Sequence, residues 1–147
     1  MGVDEFFDGG GSPPSGGWVA FESNTSSTLF AVDRDHPLVL PPTDRWSFQL
    51  VTVAPVLEGG WVFLGEAKTK WVAVSRQRFA SISAGDETGF TAQLVGAPGE
   101  TVTLGYAKVT TTTTEGGART IGDAVFFDCV VPSKGSATAS IPAGKCA

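Results

Sequence analysis

A chain of 147 residues, 41% apolar and 17% charged, is long enough for one buried core and is not disordered as a whole. A net charge of −5 with scattered Lys and Arg offers nucleic acid no basic footprint. No apolar run approaches the roughly 18–20 residues that span a bilayer, so no membrane span is expected. Nineteen glycines, nine prolines and many threonines favour strands and turns over helices.

The opening MGVDEFFDGGG has neither a basic n-region nor an apolar h-region, so no signal peptide is read in it. Residues Gly9 to Gly17, GGGSPPSGG, have the composition of a flexible linker. The chain therefore divides into a tail, 1–17, and a domain, 18–147. The DEFF before the linker reads as the end of something larger or as a short docking peptide.

From Trp18 the strand pattern begins. Trp18–Glu22 and Thr28–Val32 flank a polar turn that contains Asn24-Thr25-Ser26, an N-glycosylation sequon at Asn24. Asp33 to Pro37 is a turn, and Leu38–Leu40 a brief strand stopped by Pro41-Pro42. Trp46 to Val53 alternates, with Trp46, Phe48 and Leu50 expected on a buried face. Pro55 ends that strand, and Glu58-Gly59-Gly60 makes a hairpin connection. Trp61–Leu64, Trp71–Ser75 and Phe79–Ser83 are the next expected strands. Phe90, Ala92 and Leu94 alternate with polar residues, as do Val102, Leu104 and Tyr106. Between them, Ala97-Pro98-Gly99-Glu100 has tight-turn chemistry: Pro fixes φ at one central position and Gly supplies positive φ at the next. Thr110 to Gly117 is a polar hairpin tip. Val125, Phe127, Cys129 and Val131 are expected on one face of a strand, and Ser136–Ile141 is the last strand. About ten short strands at this spacing predict an all-β, antiparallel β-sandwich.

Chemistry is nearly absent. His36 is the single histidine, and it lies between Asp35 and Pro37, where a turn role explains it. Asp33 and Asp35 offer two carboxylates where calcium needs six to eight oxygens. Two cysteines and one histidine cannot furnish a structural zinc site, so neither a metal nor a cofactor is expected. Asp44, Glu58, Glu66 and Glu100 fall in or beside turns, where acids are ordinary, and none is nominated as a glycosidase acid. Lys68, Lys70, Arg76 and Arg78 read as a solvated strand edge. Cys129 and Cys146 flank a hairpin-like segment; they are either bridged or two separate thiols.

Trp46, Trp61 and Trp71 each stand at the start of an expected strand, where a sandwich presents its ends. Exposed there, they would be platforms for a glycan, because an indole face is apolar while its N–H donates. Buried, they would be ordinary core residues.

Phe48 to Val56, FQLVTVAPV, followed by Gly60 to Gly65, GWVFLG, resembles the C-terminal β-domain of the raffinose synthase and seed imbibition family, among the α-galactosidase-type glycoside hydrolases. Thr52, Pro55, Val56, Gly65 and Lys70 fall in register with that family's segment. The resemblance implies a non-catalytic accessory domain that packs on a (β/α)8 barrel. A barrel takes about 250 residues, so this chain does not contain one and no catalytic residue carries over. Three expectations follow. An accessory domain presents an apolar patch for docking. A stand-alone lectin or carbohydrate-binding module presents exposed, coplanar tryptophans. A structural subunit, such as a virion surface protein, uses its DEFF tail as an arm on a neighbour.

Overall fold

In a computed structural model, the described residues are 16–22, 28–32, 37–40, 42–46, 48–83, 85–111 and 119–147. Asn24, Asp33, Asp35, His36 and most of the tail lie outside them. The fold is all-β and antiparallel throughout. Its strands are β1 (Trp18–Glu22), β2 (Thr28–Val32), β3 (Val51–Pro55), β4 (Trp61–Gly65), β5 (Phe79–Ile82), β6 (Phe90–Val95), β7 (Thr101–Thr111), β8 (Arg119–Ile121), β9 (Val125–Val130), β10 (Ser136–Ile141) and β11 (Lys145–Cys146). They form sheets ordered β2-β1-β3, β11-β10-β6-β5 and β4-β7-β8. β9 pairs the first half of β7, beside the stretch that β8 pairs. No helix among the described residues is long and apolar enough to cross a membrane.

The sandwich is covered on both sides of its middle sheet. β4 explains why. Trp61 and Phe63 point into one core, and Val62 and Leu64 into another. Every residue of β4 is buried. A strand buried on both faces has no polar face to alternate with, so it reads WVFLG rather than an alternation. β7 obeys the same rule in two halves: Val102 and Leu104 fill the first core, Ala107 and Val109 the second. The first core is closed by Phe79, Phe90 and Leu94 of the β5–β6 side, with Phe63 edge-on to both phenylalanines at ring separations of 5.1 and 5.6 Å. The second is closed by Val19 and Phe21 of β1. Trp18 and Ala20, on the opposite face of β1, pack in a third cluster with Val32, Leu38 and Val51.

Cys129 and Cys146 form a disulfide that joins β9 to β11, 17 residues apart in sequence. In the loop-entropy view such a bridge contributes about 3 kcal/mol. The Ala97–Glu100 turn is formed, with Gly99 at φ +81° and the Glu100 N–H donating to Ala97 O at 2.9 Å.

Several expected strands are corrected. Trp71–Ser75 is a run of bends, and only Ala73 within it is buried, so its apolar residues are not a sheet face. Leu38–Leu40 is not a strand. Of the described residues in Trp46–Val53, only those from Val51 are strand; Trp46 sits in a turn in which its N–H donates to Asp44 Oδ1 at 2.8 Å. Trp46 and Phe48 are exposed, not half-buried. On β9, Phe127, Cys129 and Val131 face the first core as expected, but Val125 at the strand's start is exposed. β8 and β11, three and two residues long, were not expected.

Candidate functional site: an apolar groove between two open sheet edges

β3 ends one sheet and β5 ends another. Between them opens a groove of about 320 Å³, lined by β3, by Val72–Val74 and by Ile82. Its outer wall is the 66–78 excursion that leaves β4 and returns to β5. Trp71 stands on this wall 75% exposed and Val72 65% exposed. The ring of Phe48 stacks on Trp71 at 5.6 Å and 19°. Val53, Val74 and Ile82 add exposed apolar surface in the same groove. Contiguous exposed apolar surface, unlike a lone exposed leucine, makes this groove the candidate site.

What holds the wall is polar. Glu66 is 5% exposed and receives Nε of Arg78 at 3.0 Å. The other end of the same guanidinium grips both carboxylate oxygens of Glu100, and Nη1 also donates to Val95 O at 2.9 Å. The Glu66 N–H donates to Ala73 O, and Glu66 O receives the N–H groups of Thr69 and Lys70. The excursion is therefore closed at its base by Glu66 and Arg78, and tied through Arg78 to the β6–β7 turn. The hydrogen bonds from Arg78 hold the Glu100 carboxyl down at about 2, and the same contact raises the guanidinium further above its ordinary value. Arg78 is thus not a solvated edge charge, which corrects the expectation for that group. Lys68, Lys70 and Arg76 are exposed, and none is in an ion pair with another described residue. Lys68 lies over the ring of Phe126 at 4.1 Å.

The three tryptophans have three different environments. Trp61 is a core residue, 7% exposed, so it offers no stacking face. Its indole N–H donates to Asp86 O at 2.9 Å, and Lys108 Nζ lies 3.9 Å from its ring centre while donating to Gly59 O. It pins the 85–89 turn onto the start of β4. Trp46 is 81% exposed with the Arg45 guanidinium 4.6 Å from its ring centre. Phe48, and not Trp46, is the ring stacked on Trp71. The residues that make the groove beyond Trp71, namely Phe48, Val53, Val72, Val74 and Ile82, carry no signal in sequence that separates them from core residues.

A second, polar depression of about 500 Å³ is lined by Ser83, Asp86, Thr88, Thr91 and Ser140. Its one carboxylate is engaged: Asp86 Oδ1 receives Thr88 N–H at 2.7 Å, Thr88 Oγ1 at 2.6 Å and Gly89 N–H at 3.1 Å. The Thr88 hydroxyl and these backbone donors hold Asp86 below the usual carboxylate range. Among the described residues that line this depression the one ring is that of Phe90, which is buried. Among the described residues, no three His, Cys, Asp or Glu side chains gather as a metal site. No family model, curated protein or solved structure matches the chain.

Proposed function

We propose that this chain is a non-catalytic β-domain that works by docking, its apolar groove seating a complementary surface of a protein partner. The observation that carries the reading is the continuous exposed wall of Phe48, Trp71, Val72 and Val74 above the β3 edge. A sugar needs a ring to stack on and polar groups to receive its hydroxyls. Among the described residues of the groove lining, Thr52 alone bears a hydroxyl, and such a lining favours protein over glycan. Acid–base hydrolysis finds no support either. Glu66 and Glu100 share Arg78, and a carboxyl held near 2 is no proton donor at neutral pH.

The class of partner follows from the resemblance of Phe48–Gly65 to raffinose synthase-type β-domains: a (β/α)8 barrel of an α-galactosidase-like enzyme, on which the groove would sit and steady the rim. The test is titration calorimetry of the full chain against a purified barrel of that class, wild type beside Trp71→Ser. Loss of a central aromatic anchor should weaken binding by about 30-fold, equivalent to about 2 kcal/mol. Equal binding by both proteins would refute the groove as the docking site. Quenching of Trp71 emission by galactosides, with no barrel binding, would turn the reading to a glycan-binding module.

A further inference from the structure

The groove runs along the edge of β3 and not over one of its faces. All the residues of the strand, Val51 to Pro55, line it in succession, whereas a groove on a sheet face meets every second residue. Val72, Ala73 and Val74 line the opposite wall in the same unbroken way. Among the described residues, β3 pairs with β1 and with no other strand.

Two hydrogen bonds fix which way the backbone groups of β3 point. The Val56 N–H donates to Gly17 O at 3.0 Å, one step beyond the pair Trp18↔Pro55. Backbone groups alternate in direction along an antiparallel strand, so those of Thr52, Ala54 and Val56 face β1. The Leu57 N–H points the other way and donates to Trp61 O at 2.7 Å. Val51, Val53 and Pro55 share that second direction. β4 would be their neighbour there, but its contact with this side stops at the bridge Val56↔Val62, and β4 goes on to pair with β7. The groove opens where that ladder ends, with Phe63 of β4 in its lining. Its edge offers the N–H groups of Val51 and Val53 and the carbonyls of Val51, Val53 and Pro55. Pro55 has no N–H to give.

Resting on the docking reading above, we propose that the groove takes one extended, uncharged segment of its partner, a loop or a chain end, as a strand added to β3. Strand addition draws affinity from backbone groups of this kind and selectivity from alternate side chains. Charge complementarity sets the chemistry of the segment. Among the described residues the lining has no charged side chain, so an ionised group pushed into the groove would lose water and meet no counter-charge. β-Branched and aromatic residues suit the extended backbone and the apolar walls. A second copy would bring its own β3 flanked by the same wall, which a lone segment does not carry.

The probe is the peptide acetyl-Val-Thr-Val-Thr-Val-amide, added to the full, isotope-labelled chain, with amide hydrogen exchange read residue by residue. In the free chain Thr52 and Ala54 should be protected, and Val51 and Val53 should exchange freely. With peptide at about 90% occupancy, followed by the amide shifts, exchange at Val51 and Val53 should slow about tenfold, because only the unbound tenth exchanges. A peptide with lysine at its centre should bind about tenfold more weakly. No shift in β3 at millimolar peptide overturns the proposal. So does binding that leaves Val51 and Val53 unprotected, and so does protection in the free chain that is lost on dilution, which would put a second copy on the edge. The barrel titration separates the added strand from the docking reading. Val53→Pro removes one outward N–H at an edge position, where proline is tolerated, and Val53→Lys puts a charge there with the backbone intact. The added strand predicts that both weaken barrel binding about tenfold. Binding that needs Trp71 but is indifferent to both Val53 variants leaves the docking surface standing and removes the added strand. Binding indifferent to Trp71→Ser fails the docking reading, while peptide protection of Val51 and Val53 would still support the strand site.

Discussion

Arg78→Met tests whether the wall of the groove is held by charge. In the folded chain, the guanidinium meets Glu66 at 3.0 Å and Glu100 with two of its nitrogens. The Glu66 side chain is 6% exposed and that of Glu100 31%. Removing one partner of a buried pair leaves the other charge uncompensated and costs about 3–5 kcal/mol. The low end applies here, because the Glu100 carboxylate is partly in water, which screens the charge left unpaired. A loss of about 3 kcal/mol corresponds to about 10 °C in the unfolding midpoint of a domain this size. Circular dichroism melting reads the shift. The companion protein, Glu66→Leu with Arg78→Met, removes both charges together and should regain most of the loss, since an apolar pair can replace an ionic one. Near-neutral melting of Arg78→Met would refute the argument. So would a double variant as unstable as the sum of the single changes.

Acid should act through the same triad. The folded pKa of Glu100 is depressed, so its contribution is full above the ordinary carboxylate value of 4.5 and is lost as pH falls toward about 2. Denaturant midpoints of wild type should therefore drop across that window, and Glu100→Gln should flatten that part of the curve. Two glycines separate backbone strain from crowding. Gly59 and Gly99 both have positive φ, at +70° and +81°, but an added Cβ at Gly59 would lie 1.9 Å from Asp86 O, whereas at Gly99 it meets nothing within 4 Å. Gly99→Ala should cost about 1–2 kcal/mol, the left-handed penalty alone, and Gly59→Ala clearly more. Urea titrations of equal cost for the two would show that the approach of the 85–89 turn to Gly59 is looser than the structure has it.

Strands were legible where one physical rule governed the run. β6 shows period two, with Phe90, Ala92 and Leu94 buried between exposed Thr91 and Gln93. β4, and β1 up to its terminal Glu22, are continuous apolar runs because both their faces are covered, and their bounds emerge from the turn residues around them. The same signals misled at Trp46–Leu50 and Trp71–Ser75. Alternating or clustered apolar residues imply burial only if something covers them, and here the exposed groove wall is built from the same residue types as the core. Arg78 was illegible for another reason. Its partners lie 12 and 22 residues away, brought together only by the return of the chain from β4 to β5 and by the β6–β7 turn. Trp61 and Trp71 look alike in sequence, each opening an apolar run, and they part because one continues a paired strand while the other begins a bend.

The division of labour in the groove follows from these contacts. Its floor belongs to the fold, since Ala54 and Phe63 are also core residues. Its wall is different: Trp71 and Val72 bury little, and the excursion that carries them is shaped by Glu66, Arg78 and backbone hydrogen bonds. Trp71→Ser therefore removes little buried apolar area and should leave the unfolding free energy within about 0.5 kcal/mol of wild type, the range of ordinary surface substitutions. On the docking proposal, a surface that contributes so little to its own fold, yet keeps a tryptophan and valines in water, has apolar area left to bury against a partner. About 25 cal/mol is available for each Å² of apolar area that a partner removes from water. A midpoint that falls with Trp71→Ser as far as with Arg78→Met would instead make Trp71 a structural residue of the loop, and the docking argument would lose its anchor.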